Sequence, residues 1–361
     1  MKKNIEKIFQ KTENGKRISK NEGIFLLKNG SLTEMGYFAQ KVRLKIHPQN
    51  IVTYIVDRNI NYTNICQTKC LFCAFYRDEK DKDSYTLTID EVLAKIEETV
   101  KLGGTGILLQ GGHNPNIPFN YYLKLLKAIR KNYPQIHIHA FSPPEIVFFA
   151  NKFKMPIKKI LVKLKEAGLM SLPGGGAEIL SQRTRNKISP KKAKTKEWLK
   201  VMETAHKLNI PSTSTMMFGT YEDDEEIVFH LDSIRKLQDK TNGFTAFIPW
   251  TYQKGGKAKI QKDKTPYSRY LKILAFSRIY LDNIKNIQTS WLTQGLDIAS
   301  VALHFGANDV GSIMIEENVV REAGCSNKTN EEELRNLILN SGFIPKKRTT
   351  LYKIIDSQKF S

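Results

Sequence analysis

Three closely spaced cysteines set the chemistry of this chain. Cys66, Cys70 and Cys73 stand in the segment NICQTKCLFCAFYR (64–77), spaced C-x3-C-x2-C. Thiolates are soft ligands that suit zinc, copper(I) or iron–sulfur clusters. A cubane cluster has four irons and normally takes four cysteines. Three in one loop leave one iron without a protein ligand. An open coordination position marks a metal site that performs chemistry rather than only holding structure. Phe72 before the last cysteine, with Phe75 and Tyr76 after it, supplies rings that shield a cluster from water. A structural zinc site needs a fourth Cys or His nearby, and none follows. A disulfide set is disfavoured, because a chain of this length has a core without one. Cys325 lies far along the chain and reads as a plain buried cysteine.

Other polar groups recur where strands end. Gln110, Gly111 and Gly112 form one such stretch, and glycine lets a ligand approach the backbone closely. Gly174-Gly175-Gly176-Ala177-Glu178 forms another. Backbone amides in such a loop can hold an anion. Glu178 can accept hydrogen bonds from ribose hydroxyls or an amino group; otherwise it is an acid at a helix start. Arg183 and Arg185 follow, able to pair with a carboxylate or to stand on the surface. His139 projects from a strand opposite an isoleucine face and reads either as a group inside a barrel or as a satisfied core histidine. Glu145, Gln253, Ser290 and Gln294 fall at strand ends and are candidates to line a substrate cavity.

The elements that must position these groups alternate. Residues 51–62, IVTYIVDRNINY, are β-branched and tyrosine-rich and predict a strand leading into the cysteine loop. Further strands are expected at 106–110, 135–141, 168–172, 212–218, 243–250, 287–291 and 306–310, with helices between them. Thr88-x-x-Glu91 and Ser31-x-x-Glu34 are capping-box signatures. Strands alternating with helices imply a parallel α/β fold. Polar and glycine residues just after several strands favour a closed (β/α)8 barrel over a doubly wound sheet, since a barrel gathers its active groups there. The expected organisation is an N-terminal helical extension (1–50), a barrel (51–312) and a C-terminal helical segment packed on it (313–361).

Composition narrows the class. The 361 residues are 40% hydrophobic and carry a net charge of +21, from 57 Lys+Arg against 36 Asp+Glu. No apolar run approaches the roughly 18 residues of a membrane span, and no signal peptide is evident at the start. A cytoplasmic enzyme with reduced thiols is expected, with no membrane partner. The charge raises nucleic acid as a partner. However, the positives are mostly lysines spread along the chain, and no RNA-binding module is recognisable. A solvated surface, an anionic substrate or an acidic electron donor fits better.

The cysteine motif with its aromatic resembles the radical S-adenosylmethionine (SAM) enzymes. In that superfamily the open iron of a [4Fe-4S] cluster binds SAM. The resemblance extends further, through DRNINYTNIC (57–66), LLQGGHNP (108–115), HIHAFSPPEI (137–146), LPGGGAEIL (172–180), GFTAFIPWTYQ (243–253), WLTQG (291–295), FGANDVGSIMIEENVV (305–320) and GFIPKKRTTLY (342–352). Together these are similar to the cyclic dehypoxanthinylfutalosine synthases of the futalosine route to menaquinone. Aminofutalosine synthase and the deazaflavin (FO) synthase components share parts of the pattern. The resemblance implies a TIM-type barrel in which Cys66, Cys70 and Cys73 hold the cluster. Phe72, Gln110, Gly111, Gly112 and Glu178 are implied at SAM. It implies dehypoxanthine futalosine as substrate and a low-potential donor such as flavodoxin or ferredoxin. The implied reaction is hydrogen abstraction at ribose C4′, addition to the benzoate ring, and loss of an electron and a proton. His139 and Glu178 are the candidate bases.

Overall fold

The computed structural model describes residues 2–355; the last positions of the expected C-terminal segment, 356–361, lie outside it. Strands are β1 (Ile51–Ile55), β2 (Asp57–Asn61), β3 (Gly106–Gln110), β4 (His137–Ala140), β5 (Ser212–Phe218), β6 (Phe244–Thr251), β7 (Asn286–Ile287), β8 (Asp309–Ser312) and β9 (Ile344–Lys347). Three parallel sheets, β8-β1-β9, β2-β3-β4 and β5-β6-β7, join into one ring. β1 and β2 are one strand interrupted at Val56. Parallel bridges His139↔Ser171 and Leu172↔Ser212 connect β4 to β5, and Gln288↔Asp309 connects β7 to β8. β8 returns to β1. The result is a closed (β/α)8 barrel in which residues 171–172 serve as the fourth stave.

The stave expected at 168–172 is thus reduced to bridges. Gly168 at φ 125 delays its start, and Pro173 cannot donate to a ladder. The strand expected at 287–291 also stops early, because Trp291 opens the short helix Trp291–Gln294.

Helices wrap the ring with one apolar face inward. In Ile89–Lys101 the buried set includes Val92 and Ile96, and the Thr88–Glu91 capping box forms as its sequence predicts. Ser31 caps Leu32–Ile46 by accepting from the Glu34 amide. The helices Lys2–Glu13, Lys20–Asn29 and Leu32–Ile46 precede the barrel. Two of them lie close to it at glycines. A Cβ on Gly36 would stand 2.6 Å from the Phe305 ring, and one on Gly23 2.6 Å from Tyr280. Among the described residues no helix is long and apolar enough to cross a membrane.

The C-terminal segment differs most from expectation. After the helix Glu331–Asn340 the chain forms β9. It runs parallel to β1, pairing Ile51 to Tyr54 with Ile344 to Lys347. β3 pairs only from Asp57 onward, so β9 takes the edge of β1 below it. Pro345 is tolerated because β9 is itself an edge strand. Arg348 then enters the barrel and is bound to Asp309 of β8 at 2.5 and 2.8 Å. The basic tail is therefore a plug across the N-terminal end of the barrel. A buried ion pair selects this path, one that helical periodicity does not reveal.

Candidate active site

The cysteine loop leaves β2 at the C-terminal end of the barrel and is held by backbone bonds on several sides. Gly112 N donates to Thr63 O (2.9 Å), Gln67 N to His113 O (3.2 Å) and Leu71 N to Ile188 O (2.8 Å). The Arg77 guanidinium, 7% exposed as a residue, donates to the carbonyls of Ala74, Phe75 and Tyr76. It also pairs with Asp83 (2.5 Å) and Glu322 (2.7 Å). This single side chain fixes the turn after Cys73.

All four cysteines are free thiols. Burial pushes the Cys70 and Cys73 thiols up, and the neighbouring thiols push the same way. Among the described residues no three His, Cys, Asp or Glu side chains converge on one point, as a single ion would need. A cubane takes each thiolate on a separate iron, so this donor set fits a cluster. Cys325 is half-buried rather than buried, and its thiol donates to Leu292 O at 2.8 Å.

The glycines after β3 have a packing reason. A Cβ on Gly111 would lie 2.5 Å from Tyr62, and one on Gly112 only 2.2 Å from Ile65 O and 2.9 Å from Cys66 Cβ. They let the end of β3 press against the cysteine loop. Gly112→Ala is expected to displace Cys66 and lower the iron bound per chain severalfold, as measured by metal analysis after reconstitution.

Beside the cysteines sits a buried charged group. Glu178, 4% exposed, has φ 39 and lies in a loop ahead of the helix Gln182–Ile188, not at its start. Its Oε1 accepts from Lys192 Nζ at 2.9 Å, and Arg185 stands 3.6 Å from Oε2. Burial alone would lower the Lys192 pKa; Glu178 and Cys70 outweigh it and hold the ammonium above its ordinary value. The same Nζ lies 5.1 Å from the Phe72 ring centroid. Glu178 Oε2 is buried without a hydrogen-bond partner. An orphaned carboxylate oxygen is costly unless a ligand donates to it. Gln110 packs against the glycine loop ahead of Glu178, since a Cβ on Gly175 would meet its Nε2 at 2.9 Å.

A cavity of about 300 Å³ lies inside the barrel beside Gln110 and Gly175; Glu178, Lys192, Phe72 and the cysteines are not among the residues that line it. Of the candidates above, Gln110, His139 and Ser290 line it. His139 Nδ1 is 2.6 Å from Ser171 Oγ, and burial lowers its pKa to about 3, so it is a neutral imidazole. Five candidates are used elsewhere. Glu145 accepts from Tyr62 Oη, Gly111 N and Ser142, making it a buried strut. Arg183 is on the outer surface with Asp223 and Glu226. Gln253 folds back on Thr251. Gln294 donates to Thr251 Oγ1 (2.6 Å) behind the wall. Arg185 is buried and braces the carbonyls of Gly176, Ala177 and Ala193.

The sequence reading missed Lys192, Asp57, Glu317, Arg348 and Tyr352. The last four line the cavity. For Asp57 a signal existed. Ile55, Asp57 and Asn59 are spaced by two, so they share one strand face, and all three line the cavity.

Residues 60–234 match the radical SAM superfamily, and residues 241–360 match the CofH/MqnC C-terminal region. The chain is 43% identical to a cyclic dehypoxanthine futalosine synthase of Halalkalibacterium halodurans, covering 97% of this chain and 95% of that protein. It is 44% identical to a 5-amino-6-(D-ribitylamino)uracil–L-tyrosine 4-hydroxyphenyl transferase of Methanocaldococcus jannaschii, covering 94% and 98%. An aminodeoxyfutalosine synthase of Thermus thermophilus is 38% identical over 96% of this chain and 94% of its own length. In fold, the FeFe-hydrogenase maturase of Carboxydothermus hydrogenoformans superposes with a TM-score of 0.76 at 18% identity, over 97% of this chain and 81% of that one. With three clustered thiols, an orphaned acid beside them and a closed barrel, the chain belongs to the radical SAM enzymes, which use a [4Fe-4S] cluster and SAM, in the family that includes the cyclic dehypoxanthine futalosine synthases.

Proposed function

We propose that this chain converts dehypoxanthine futalosine to cyclic dehypoxanthine futalosine in the futalosine route to menaquinone. The reaction joins ribose C4′ to the benzoate ring. The observation that carries the reading is the 43% identity over 97% of the chain, which spans both the cysteine loop and the tail that plugs the barrel. The hydroxyphenyl transferase is a second reading at 44% identity. Two cyclic dehypoxanthine futalosine synthases, 43% and 41% identical over 97% and 98% of this chain, support the cyclase reading.

Cys66, Cys70 and Cys73 would hold the cluster. Phe72, Gln110 and the orphaned Oε2 of Glu178, with Lys192 alongside, would hold SAM. When bound, these cofactors supply the low-potential electron and the hydrogen-abstracting adenosyl radical. The barrel does the rest. Its walls exclude water, which would otherwise compete at reactive carbon. They also hold the two carbons near contact distance, where orientation contributes most to rate. His139 and Ser290 offer neutral hydrogen-bonding groups along the ribose path. The electron comes from an acidic, low-potential carrier such as flavodoxin or ferredoxin, suited to the +21 charge. Free thiols fit a reducing compartment, the cytoplasm.

Glu178→Gln removes the charge but keeps the shape. It is expected to weaken SAM binding about tenfold, the effect of losing one charge-assisted hydrogen bond. Calorimetry on the reconstituted protein measures it. The function itself is tested by incubating reduced, reconstituted protein with SAM and dehypoxanthine futalosine. Cyclic product together with 5′-deoxyadenosine is expected. Turnover confined to an enolpyruvyl benzoate would indicate an aminofutalosine synthase. Turnover confined to tyrosine with 5-amino-6-(D-ribitylamino)uracil would indicate the transferase.

A further inference from the structure

Forming an aromatic product from a ring that has gained a carbon substituent releases one proton and one electron. The proton needs an acceptor on the cavity wall. The groups facing the cavity can be compared one by one. His139 has only Nδ1 bonded, to Ser171 Oγ, and burial lowers the pKa of the ring to about 3, which makes it a weaker base than a carboxylate whose pKa is raised. Glu317 spends both oxygens on the amides of Val319, Val320 and Arg321. Asp309 is fully buried behind the wall, taken by Arg348 and Thr53. Glu178 belongs to the cysteine end and is bound to Lys192.

That leaves Asp57. It lines the cavity on the inward face of the first stave, in register with Ile55 and Asn59. We propose that Asp57 is the catalytic base that takes the ring proton in the cyclisation; this rests on the cyclase reading above. The ring C–H bond breaks, its electron pair restores the aromatic sextet, and the proton forms an O–H bond on the Asp57 carboxylate. The unpaired electron left by addition passes to a one-electron acceptor of the oxidised iron–sulfur class.

The surroundings poise the group for this task. Burial raises its pKa to about 6, while Ser312 and Arg348 pull it down and Asp309 pushes it up. His139, Glu317 and Tyr352 are the other titratable groups lining the same cavity. Above about pH 6 the carboxylate is ionised and able to accept; below it, the acid form cannot. Cyclisation should therefore lose about tenfold per pH unit below 6.

The test measures cyclic product and 5′-deoxyadenosine separately for wild type, Asp57→Asn and Asp57→Glu. The Asn variant should make at least about 100-fold less cyclic product per deoxyadenosine and lack the acid limb. The Glu variant should recover part of both. In addition, carbon-13 NMR of aspartate-labelled protein without cofactors should show a carboxyl titrating near pH 6 that is absent from Asp57→Asn. Unchanged coupling and pH profile in Asp57→Asn, or a carboxyl that titrates below about 4.5, would overturn the assignment. A wild-type protein that forms no cyclic product overturns the substrate reading instead, and the titration then decides on Asp57 alone.

Discussion

Alanine at Cys66, Cys70 or Cys73 leaves a folded chain that holds no stable iron–sulfur cluster, and its SAM cleavage falls by more than about 100-fold. That is beyond the range of losses typical when an outer-shell partner of a metal ligand is removed. The expectation follows from the donor count. Three thiols leave no spare ligand, and the remaining cysteine, Cys325, lies far along the chain with its thiol turned to Leu292 O. With these thiols as the proposed ligands, loss of any one would strip a second iron of its protein ligand. The loop itself should survive, because backbone bonds and Arg77 hold it rather than the sulfurs. Iron content, visible absorption and circular dichroism separate loss of cluster from loss of fold. Cys325→Ala is the internal control. Its thiol donates only to Leu292 O, and the variant should keep full iron content. A fully loaded, active variant at any of the three positions would remove the assignment.

The same thiols set a pH dependence for loading. Burial holds Cys70 and Cys73 protonated in the unloaded protein. Ligation needs thiolates, so uptake releases protons and is favoured as pH rises. Reconstitution should proceed further at about pH 8.5 than at about pH 7, read as iron bound per chain.

Much of this was legible in the sequence because it is local. A cysteine triad, a capping box or an apolar strand run lies within a few residues, and local physics decides it. β3 and β5 span the residues expected of them, 106–110 and 212–218. What was not legible depends on partners far along the chain. Lys192 stands in a lysine-rich stretch that looks solvated, yet it folds back to Glu178. Glu145 sits at a strand end, as a ligand group would, but it is N3 of a capping box and is consumed there. Gln253 and Gln294 also fall at strand ends, and both turn to Thr251 rather than to the cavity. Position along a strand locates a residue near the site. Only its hydrogen-bond partners say whether it faces in.

The tail plug yields the largest expected effect on stability. Arg348→Met should lower the unfolding free energy by about 3–5 kcal/mol, because it strands a buried charge. Asp309 is 0% exposed and accepts from Arg348 at 2.5 and 2.8 Å, from Thr53 at 2.5 Å and from Gly311 N at 2.9 Å. The two neutral donors that remain cannot neutralise it. The guanidinium also stacks on Tyr352, 3.9 Å from its ring centroid, so the tail beyond β9 loses its anchor. Adding Asp309→Asn removes the stranded charge and should recover part of the loss, giving a coupling energy in a double-mutant cycle. Urea unfolding followed by tryptophan fluorescence reads this as a midpoint shift with an unchanged slope. The shift should resist added salt, since screening acts on exposed pairs far more than on buried ones. A loss under about 1 kcal/mol, the scale of a surface ion pair, would mean the tail is held by β9 pairing alone. In that case the floor of the cavity would be set by backbone register rather than by charge.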